Sequence, residues 1–446
     1  MTLTSFYFKL DPTQRSPTVS IQPDPFFNVP EELWLEIFYC ATGATCVDDG
    51  VDYVPFAAIP LEERRDSPRV ERRCFATKRN LLLVCKAWNA LATETVYRTI
   101  RICRGTNTLL DSLNMDTSSD KPGGGNGRFV RNVEIGSGTQ DFDPFNPTIV
   151  AQILAHCPGM VSLTRPFAFD GVILAICKVR VGDGSRQSSH MQVIPHFPTL
   201  SALRRVDWWL PKTAVPSRHS DLSSTELFRD LLGDIIKHAP NLQYLTIGGP
   251  SHSYISGERY SFAPILSLHN LTTLRLECDV QFDNGRLSAT TWQLPNLTHL
   301  LVGGTYFVAI PVIEACGSHL KVLEIIRKSS RRRGTLFTPA IIHHLLSRAP
   351  NLEELNFPLD GFAEDRQPVP PAYLSTLQTI RLYLGSRSPT WLSEPMFDFV
   401  KLPHCLPMLK HLVLYNHDPW QDSFQHPTFL LFKQALEERS CSIEFA

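Results

Sequence analysis

One phrase, apolar-x-x-apolar-x-apolar, usually introduced by proline or Pro-Asn, returns seven times between Leu242 and Leu414 and governs what this chain can fold into. Clean copies are Leu242-Gln243-Tyr244-Leu245-Thr246-Ile247, Leu271-Thr272-Thr273-Leu274-Arg275-Leu276 and Leu297-Thr298-His299-Leu300-Leu301-Val302. The others start at Leu320, Leu352, Leu377 and Leu409, and weaker ones begin near Val130, Met160 and Leu203. From Leu242 onward the leading leucines lie 29, 26, 23, 32, 25 and 32 residues apart, within the period range of a repeat array. The second half of each phrase alternates, so it is a short strand with one side facing inward. Between strands, Ile149 to His156, Glu226 to His238 and Pro339 to Arg348 carry helical periodicity and stop at or just before a proline. Helix, proline and strand in rotation predict a right-handed α/β coil whose strands form one parallel sheet. One such unit buries too little apolar surface to fold alone, so units must stack and the ends need caps. A helical N-terminal module can seal one end, and a helix over Phe429 to Arg439 with a strand over Cys441 to Phe445 can close the other.

Ahead of the repeats, residues 1 to 27 are polar and proline-bearing, as in a disordered leader. Pro30 then opens a short amphipathic helix, with Glu31 and Glu32 in its first turn and Leu33, Trp34, Ile37 and Phe38 on its apolar side. Residues 43 to 75, rich in Gly, Asp, Pro and Arg, break the pattern and read as a surface insertion. Leu81, Val84, Cys85, Trp88, Leu91 and Ala92 then fall at helical spacing and predict a continuous stripe along one helix. Tyr97 to Ile102 alternates and predicts a strand, and Pro122 to Gly127 reads as a flexible link.

Composition narrows the function classes. With 43 Lys+Arg against 44 Asp+Glu the chain has no global field drawing it to nucleic acid or to a membrane. No run approaches the roughly 18 apolar residues of a span, and Met1 to Phe27 lacks the layout of a secretory signal, so a cytoplasmic or nuclear protein is expected. Eleven cysteines without any C-x-x-C read as reduced, mostly buried hydrophobes. The triplets Asn270 to Thr272 and Asn296 to Thr298 match a glycosylation acceptor that a protein kept inside the cell would not use.

Two segments carry a resemblance. Pro30-x-Glu32-Leu33-x-x-x-Ile37-Phe38 and, later, Leu83-Val84-Cys85-Lys86-x-Trp88-x-x-Leu91-Ala92 resemble the F-box motif. An F-box followed by irregular leucine-rich repeats is similar to the F-box proteins numerous in mushroom-forming fungi. The resemblance implies an α/β chain in which a short helical F-box module, residues 28 to 98 with the insertion inside it, precedes a leucine-rich-repeat horseshoe over 99 to 446. It further implies docking on a Skp-family adaptor, and through it on a cullin-RING ubiquitin ligase, with Pro30, Leu33, Ile37, Phe38, Val84, Cys85, Trp88 and Leu91 forming the adaptor interface and the small core beneath it. The stretch from Phe38 to Val84 is longer than a compact F-box uses, which leaves the path of the central helix open.

The residues between the inward leucines would form the concave sheet face: Arg205, Asp207, Trp209, Tyr244, Arg275, Glu277, His299, Glu324, Asn356, Arg381, Tyr383, His411 and Tyr415. Aromatic residues and arginines are common binding hot spots, so this set is the expected site for a protein target, against the plainer reading of a merely solvated face. No phosphate loop, nucleophile elbow or His-Glu-x-x-His occurs, and no cofactor or metal is called for. His404, Cys405, His411 and His417 are close in sequence, but strand alternation scatters their directions; Arg327 to Arg333 reads as a solvated basic turn. The expected function is thus a non-enzymatic substrate receptor of a ubiquitin ligase; the rival is a leucine-rich-repeat interaction scaffold acting outside it.

Overall fold

The computed structural model describes residues 29–42, 52–56, 68–102, 106–114, 125–135, 147–165, 199–209, 232–248, 267–277, 293–303, 309–326, 346–358, 376–383, 406–415 and 427–446. The expectations for the leader, for most of 43 to 75, for Arg327 to Arg333 and for His404, Cys405 and His417 lie outside them.

The repeated phrase becomes one sheet of twelve parallel strands in chain order, β1-β2-β3 through to β12. Three short strands come first: β1 (Thr99–Ile102), β2 (Asn132–Ile135) and β3 (Ser162–Arg165). The five-residue strands β4 (Arg205–Trp209), β5 (Tyr244–Gly248), β6 (Thr273–Glu277) and β7 (His299–Gly303) follow. Then come β8 (Val322–Ile326), β9 (Glu354–Pro358), β10 (Thr379–Tyr383), β11 (His411–Tyr415) and the edge strand β12 (Ser442–Phe445). The register repeats without slippage: Leu245 pairs with Leu274, Leu274 with Leu300, Leu300 with Leu323, and Leu323 with Leu355.

Helices lie between several of the strands. Of these, α5 (Pro147–Ala155), a helix at 232–238 and α7 (Pro427–Glu437) ahead of β12 overlap the predicted spans, whereas α4 (Thr106–Asn114) and α6 (Ala309–Cys316) fall where no helix is predicted. Of Pro339 to Arg348 only residues 346–348 are described. All seven leading leucines are buried, Leu242 to Leu377 at 0 or 1% exposure, and they belong to one continuous apolar cluster running from Ile100 to Cys441. This continuity lets weak units hold together, because each strand's apolar side packs on both neighbours.

The Pro-Asn introducer also has a structural reason. Asn241 donates from Nδ2 to the Ser201 carbonyl (2.8 Å), Asn270 to Pro240 (2.9 Å), Asn296 to His269 (2.6 Å) and Asn351 to Ser318 (2.7 Å). Each asparagine therefore ties its own turn to the preceding unit, satisfying a carbonyl that no helix or strand bond reaches. Thr376 does the same from Oγ1 to the Pro350 carbonyl at 2.9 Å. Asn270 and Asn296 of the acceptor triplets are thus structural ties.

Before the sheet come α1 (Glu31–Ala41), α2 (Pro68–Val84) and α3 (Lys86–Arg98), the last running directly into β1. The expected continuous helix through Leu81 to Ala92 is broken at Cys85, whose backbone is extended (φ −159°, ψ 171°). Helical spacing persists across the break by coincidence, which hides it from a periodicity argument. Cys85 acts instead as the N-cap of α3, its sulfur accepting from the Trp88 amide at 3.4 Å, and Asn89 Nδ2 reaches back to the Leu82 carbonyl at 2.8 Å. Helix α2 begins inside the expected insertion, at Pro68, so a helix lies between α1 and α3.

Gly125 to Gly127, expected to be part of a flexible link, is a fixed turn. A 3-10 helix spans Asn126–Phe129, and a Cβ on Gly127 would lie 1.9 Å from the His156 carbonyl oxygen. Glycine stands there because two backbones meet, not because the chain must move.

Candidate functional site

Two surfaces are candidates. The first belongs to the three N-terminal helices. Among the described residues their own core consists of the buried Phe38, Leu81 and Ala92, with Trp34, Leu82, Trp88 and Leu91 packed around them. The rings of Trp34, Phe38 and Trp88 cluster, Trp34 to Trp88 at 5.2 Å and Phe38 to Trp88 at 5.0 Å between centroids. Outside this core, large apolar side chains face solvent: Leu33 is 54% exposed, Ile37 48%, Leu83 71% and Val84 58%. Leu33 and Ile37 are one helical turn apart on α1, hence on one face. Of the residues expected at an adaptor interface, Pro30, Leu33, Ile37, Val84 and Cys85 are exposed, whereas Phe38 is buried and Trp88 and Leu91 are half-buried around it. The helices therefore sort that set into a surface and a core.

The second candidate is the sheet face opposite the apolar cluster. Strand alternation places all the residues expected there on one side, and the ladder aligns them in rows. Asp207, Thr246 and Arg275 stand in register, as do Glu324, Asn356 and Arg381, and Tyr383 with Tyr415. Much of this face is closed, contrary to the expectation of an open binding surface. Asp207, Trp209, Tyr244, Arg275 and Glu277 are each 4 or 5% exposed, Glu324 is 1% and Asn356 is fully buried. Arg205, His299, Arg381 and Tyr415 are half-buried, and of the expected residues only Tyr383 and His411 are exposed. Alternation says which side chains share a face and is silent on what covers that face.

The buried charged groups of this face are paired. Arg205 holds Asp207 at 2.7 Å and stacks on the Tyr244 ring at 4.3 Å, while Thr246 Oγ1 donates to the other Asp207 oxygen at 2.6 Å. Burial works against the charge of Arg275, yet its ion pair with Glu277 raises the pKa of the guanidinium. Arg381 Nη2 donates to Glu354 Oε2 at 3.1 Å, and Asn356 Nδ2 to Glu354 Oε1 at 2.8 Å. Such pairs specify side-chain arrangement more than they add stability.

Glu324 differs, because both of its hydrogen-bond donors come from a segment remote in sequence. The Tyr53 hydroxyl donates to Glu324 Oε2 at 2.5 Å, and the Phe56 amide donates to the same oxygen at 3.0 Å. Asn356 Nδ2 donates to the Tyr53 oxygen. The Tyr53 ring lies 5.0 Å from His299, and the Phe56 ring 5.5 Å from Tyr383 and 5.0 Å, edge-on, from Tyr415. These two residues sit within the stretch read as a surface insertion, and residues 52–56 lie across the polar face of the sheet. The one hint available was Tyr53-Val54-Pro55-Phe56, an apolar island in a polar stretch.

Burial raises the Glu324 pKa above its ordinary value of 4.5, outweighing Tyr53, Phe56 and Arg275, which act to lower it. The folded chain therefore holds this proton more tightly than the unfolded chain. The associated stability is full below the unfolded value and declines as pH rises through the interval up to the folded value. Glu324→Gln cannot ionise, so it should gain stability relative to the parent as pH rises above 4.5. Urea midpoints of both proteins at stepped pH check this; a difference that stays constant would count against it.

Among the described residues no group of His, Cys, Asp and Glu could hold a metal ion, and no helix is long and apolar enough to cross a membrane. Of the described cysteines, Cys40 and Cys85 are exposed while Cys157, Cys316 and Cys441 are buried; burial pushes the Cys157 thiol up to about 12 and Cys316 to about 11. The buried three are packing groups rather than nucleophiles. No protein-family model matches this chain, and no curated protein matches it.

Proposed function

We propose that the chain is a non-enzymatic substrate receptor: an F-box module docks a Skp-family adaptor of a cullin-RING ubiquitin ligase, and leucine-rich repeats hold a protein target. The observation that carries this reading is the apolar surface of α1 and α2. Leu33, Ile37, Leu83 and Val84 are about half exposed or more, above a core in which, among the described residues, Phe38, Leu81 and Ala92 are buried. A module this small cannot cover its own apolar side chains, and a second protein that dries them gains the hydrophobic free energy the chain leaves unused. Leu33, Ile37 and Val84 are among the positions the F-box resemblance assigns to the adaptor; Leu83 lies beside them. Chemistry on ubiquitin would belong to the other subunits, and the setting would be cytoplasmic or nuclear. The target would engage the end of the polar face where Tyr383 and His411 are exposed.

The test is reconstitution with a purified Skp-family adaptor. Co-elution of the two chains as a stoichiometric complex is expected. Separate elution at micromolar concentration would favour a repeat scaffold acting outside the ligase.

A further inference from the structure

We propose that the polar sheet face around Glu324 is a peptide-binding site whose built-in occupant is Tyr53 to Phe56, and that a target enters by displacing it with a segment of the same chemistry. That chemistry is an aromatic hydroxyl followed three residues later by an apolar aromatic ring. That the displacing segment belongs to a ligase target rests on the receptor reading above; the site and its occupant do not.

The contacts are those of ligand recognition rather than of core packing. Two side chains and one backbone amide make them. The Tyr53 hydroxyl is read in both directions, donating to Glu324 and accepting from Asn356. The Phe56 amide is read by the same carboxylate, and the Phe56 ring settles between Tyr383 and Tyr415. Between these anchors Val54 is 60% exposed, so the segment lies on the sheet rather than in it. A site that hydrogen-bonds a hydroxyl from both sides discriminates against a ring lacking it, because the buried partners are then left unpaired.

Two features mark the occupant as displaceable. Phe56 is held at φ 52°, a left-handed conformation that disfavours an aromatic residue, so docking keeps backbone strain that release would relieve. The site also retains recognition capacity the segment does not use, since among the described residues the buried Asn356 Oδ1 has no hydrogen-bond donor. Its amide orientation follows from Glu354, which accepts from Nδ2 and leaves Oδ1 as the open acceptor. A peptide able to supply one further N–H there has an advantage over the resident segment.

The experiment uses the full chain and a fluorescent peptide copied from residues 50–58, read by anisotropy. The parent chain, already occupied, should bind it at least ten times more weakly than Tyr53→Ala/Phe56→Ala, in which the resident segment has lost its anchors. The peptide carrying Phe in place of its Tyr should lose at least ten-fold affinity for that double variant. Equal affinity of parent and variant, no measurable binding to either, or indifference to the hydroxyl would overturn the proposal. Should the double variant misfold, the parent answers alone: saturating peptide should speed hydrogen exchange at the Phe56 amide of the isotope-labelled chain, and unchanged exchange would overturn it. Adaptor capture by α1 and α2 should be unaffected in every arm, so failure of the receptor reading shows as lost capture and failure of this one as lost competition.

Discussion

Replacing Ile37 by aspartate should weaken adaptor binding by about 30- to 1000-fold, the effect of removing an interface hot spot worth roughly 2 to 4 kcal/mol. The unfolding midpoint should barely move. Ile37 is 48% exposed on α1, so the folded chain gives up little when it becomes polar, and exposed substitutions of this kind usually change stability by under about 0.5 kcal/mol. Phe38, its neighbour, would be the wrong choice: it is fully buried against Trp34 and Trp88, and its loss would unfold the module rather than test an interface. Titration calorimetry against the adaptor, paired with thermal unfolding of the free chain, separates the two effects. Unchanged affinity in a stably folded Ile37→Asp would remove α1 from the interface.

Leu300→Ala should cost about 2 to 5 kcal/mol of stability, through lost burial and the cavity left behind. Leu300 is fully buried in β7 and stands in register between Leu274 of β6 and Leu323 of β8, so its deletion weakens contacts to two units at once. Against a total stability of the order of 5 to 15 kcal/mol this is a large fraction. Leu430→Ala, at a position 50% exposed on α7, should move the midpoint little. Chemical denaturation of the three proteins checks both statements; equal midpoints for Leu300→Ala and the parent would mean that the stacked leucines do not carry the sheet.

The strands were legible because alternation inside a repeated phrase has only one structural solution. Leu242, Leu245 and Ile247 of one unit return as Leu271, Leu274 and Leu276 of the next, and the ladder pairs them as the phrase aligns them. The helical break at Cys85 was illegible because Val84, Cys85 and Trp88 keep helical spacing through it; only the local cap, the Trp88 amide donating to the Cys85 sulfur, marks the start of α3. The docking of Tyr53 and Phe56 was illegible for a different reason. Their partner Glu324 lies 271 and 268 residues away, and no local pattern encodes so distant a contact. The same contact helps explain why Glu324, placed on the polar face by alternation, is nonetheless buried.

The split of the N-terminal residues into core and surface follows from packing geometry. Trp34 and Phe38 point with Trp88 into the aromatic cluster, while Leu33 and Ile37 on the same helix point away from it. Both pairs were apolar in sequence, and only the placement of α3 distinguishes them.

The central claim is that α1 and α2 leave an apolar surface for another protein. Hydrogen exchange of the full chain with and without a purified Skp-family adaptor measures this directly. Slowed exchange confined to 31–41 and 81–88, with the sheet amides unchanged, is the predicted result. Identical exchange with and without saturating adaptor would contradict the claim.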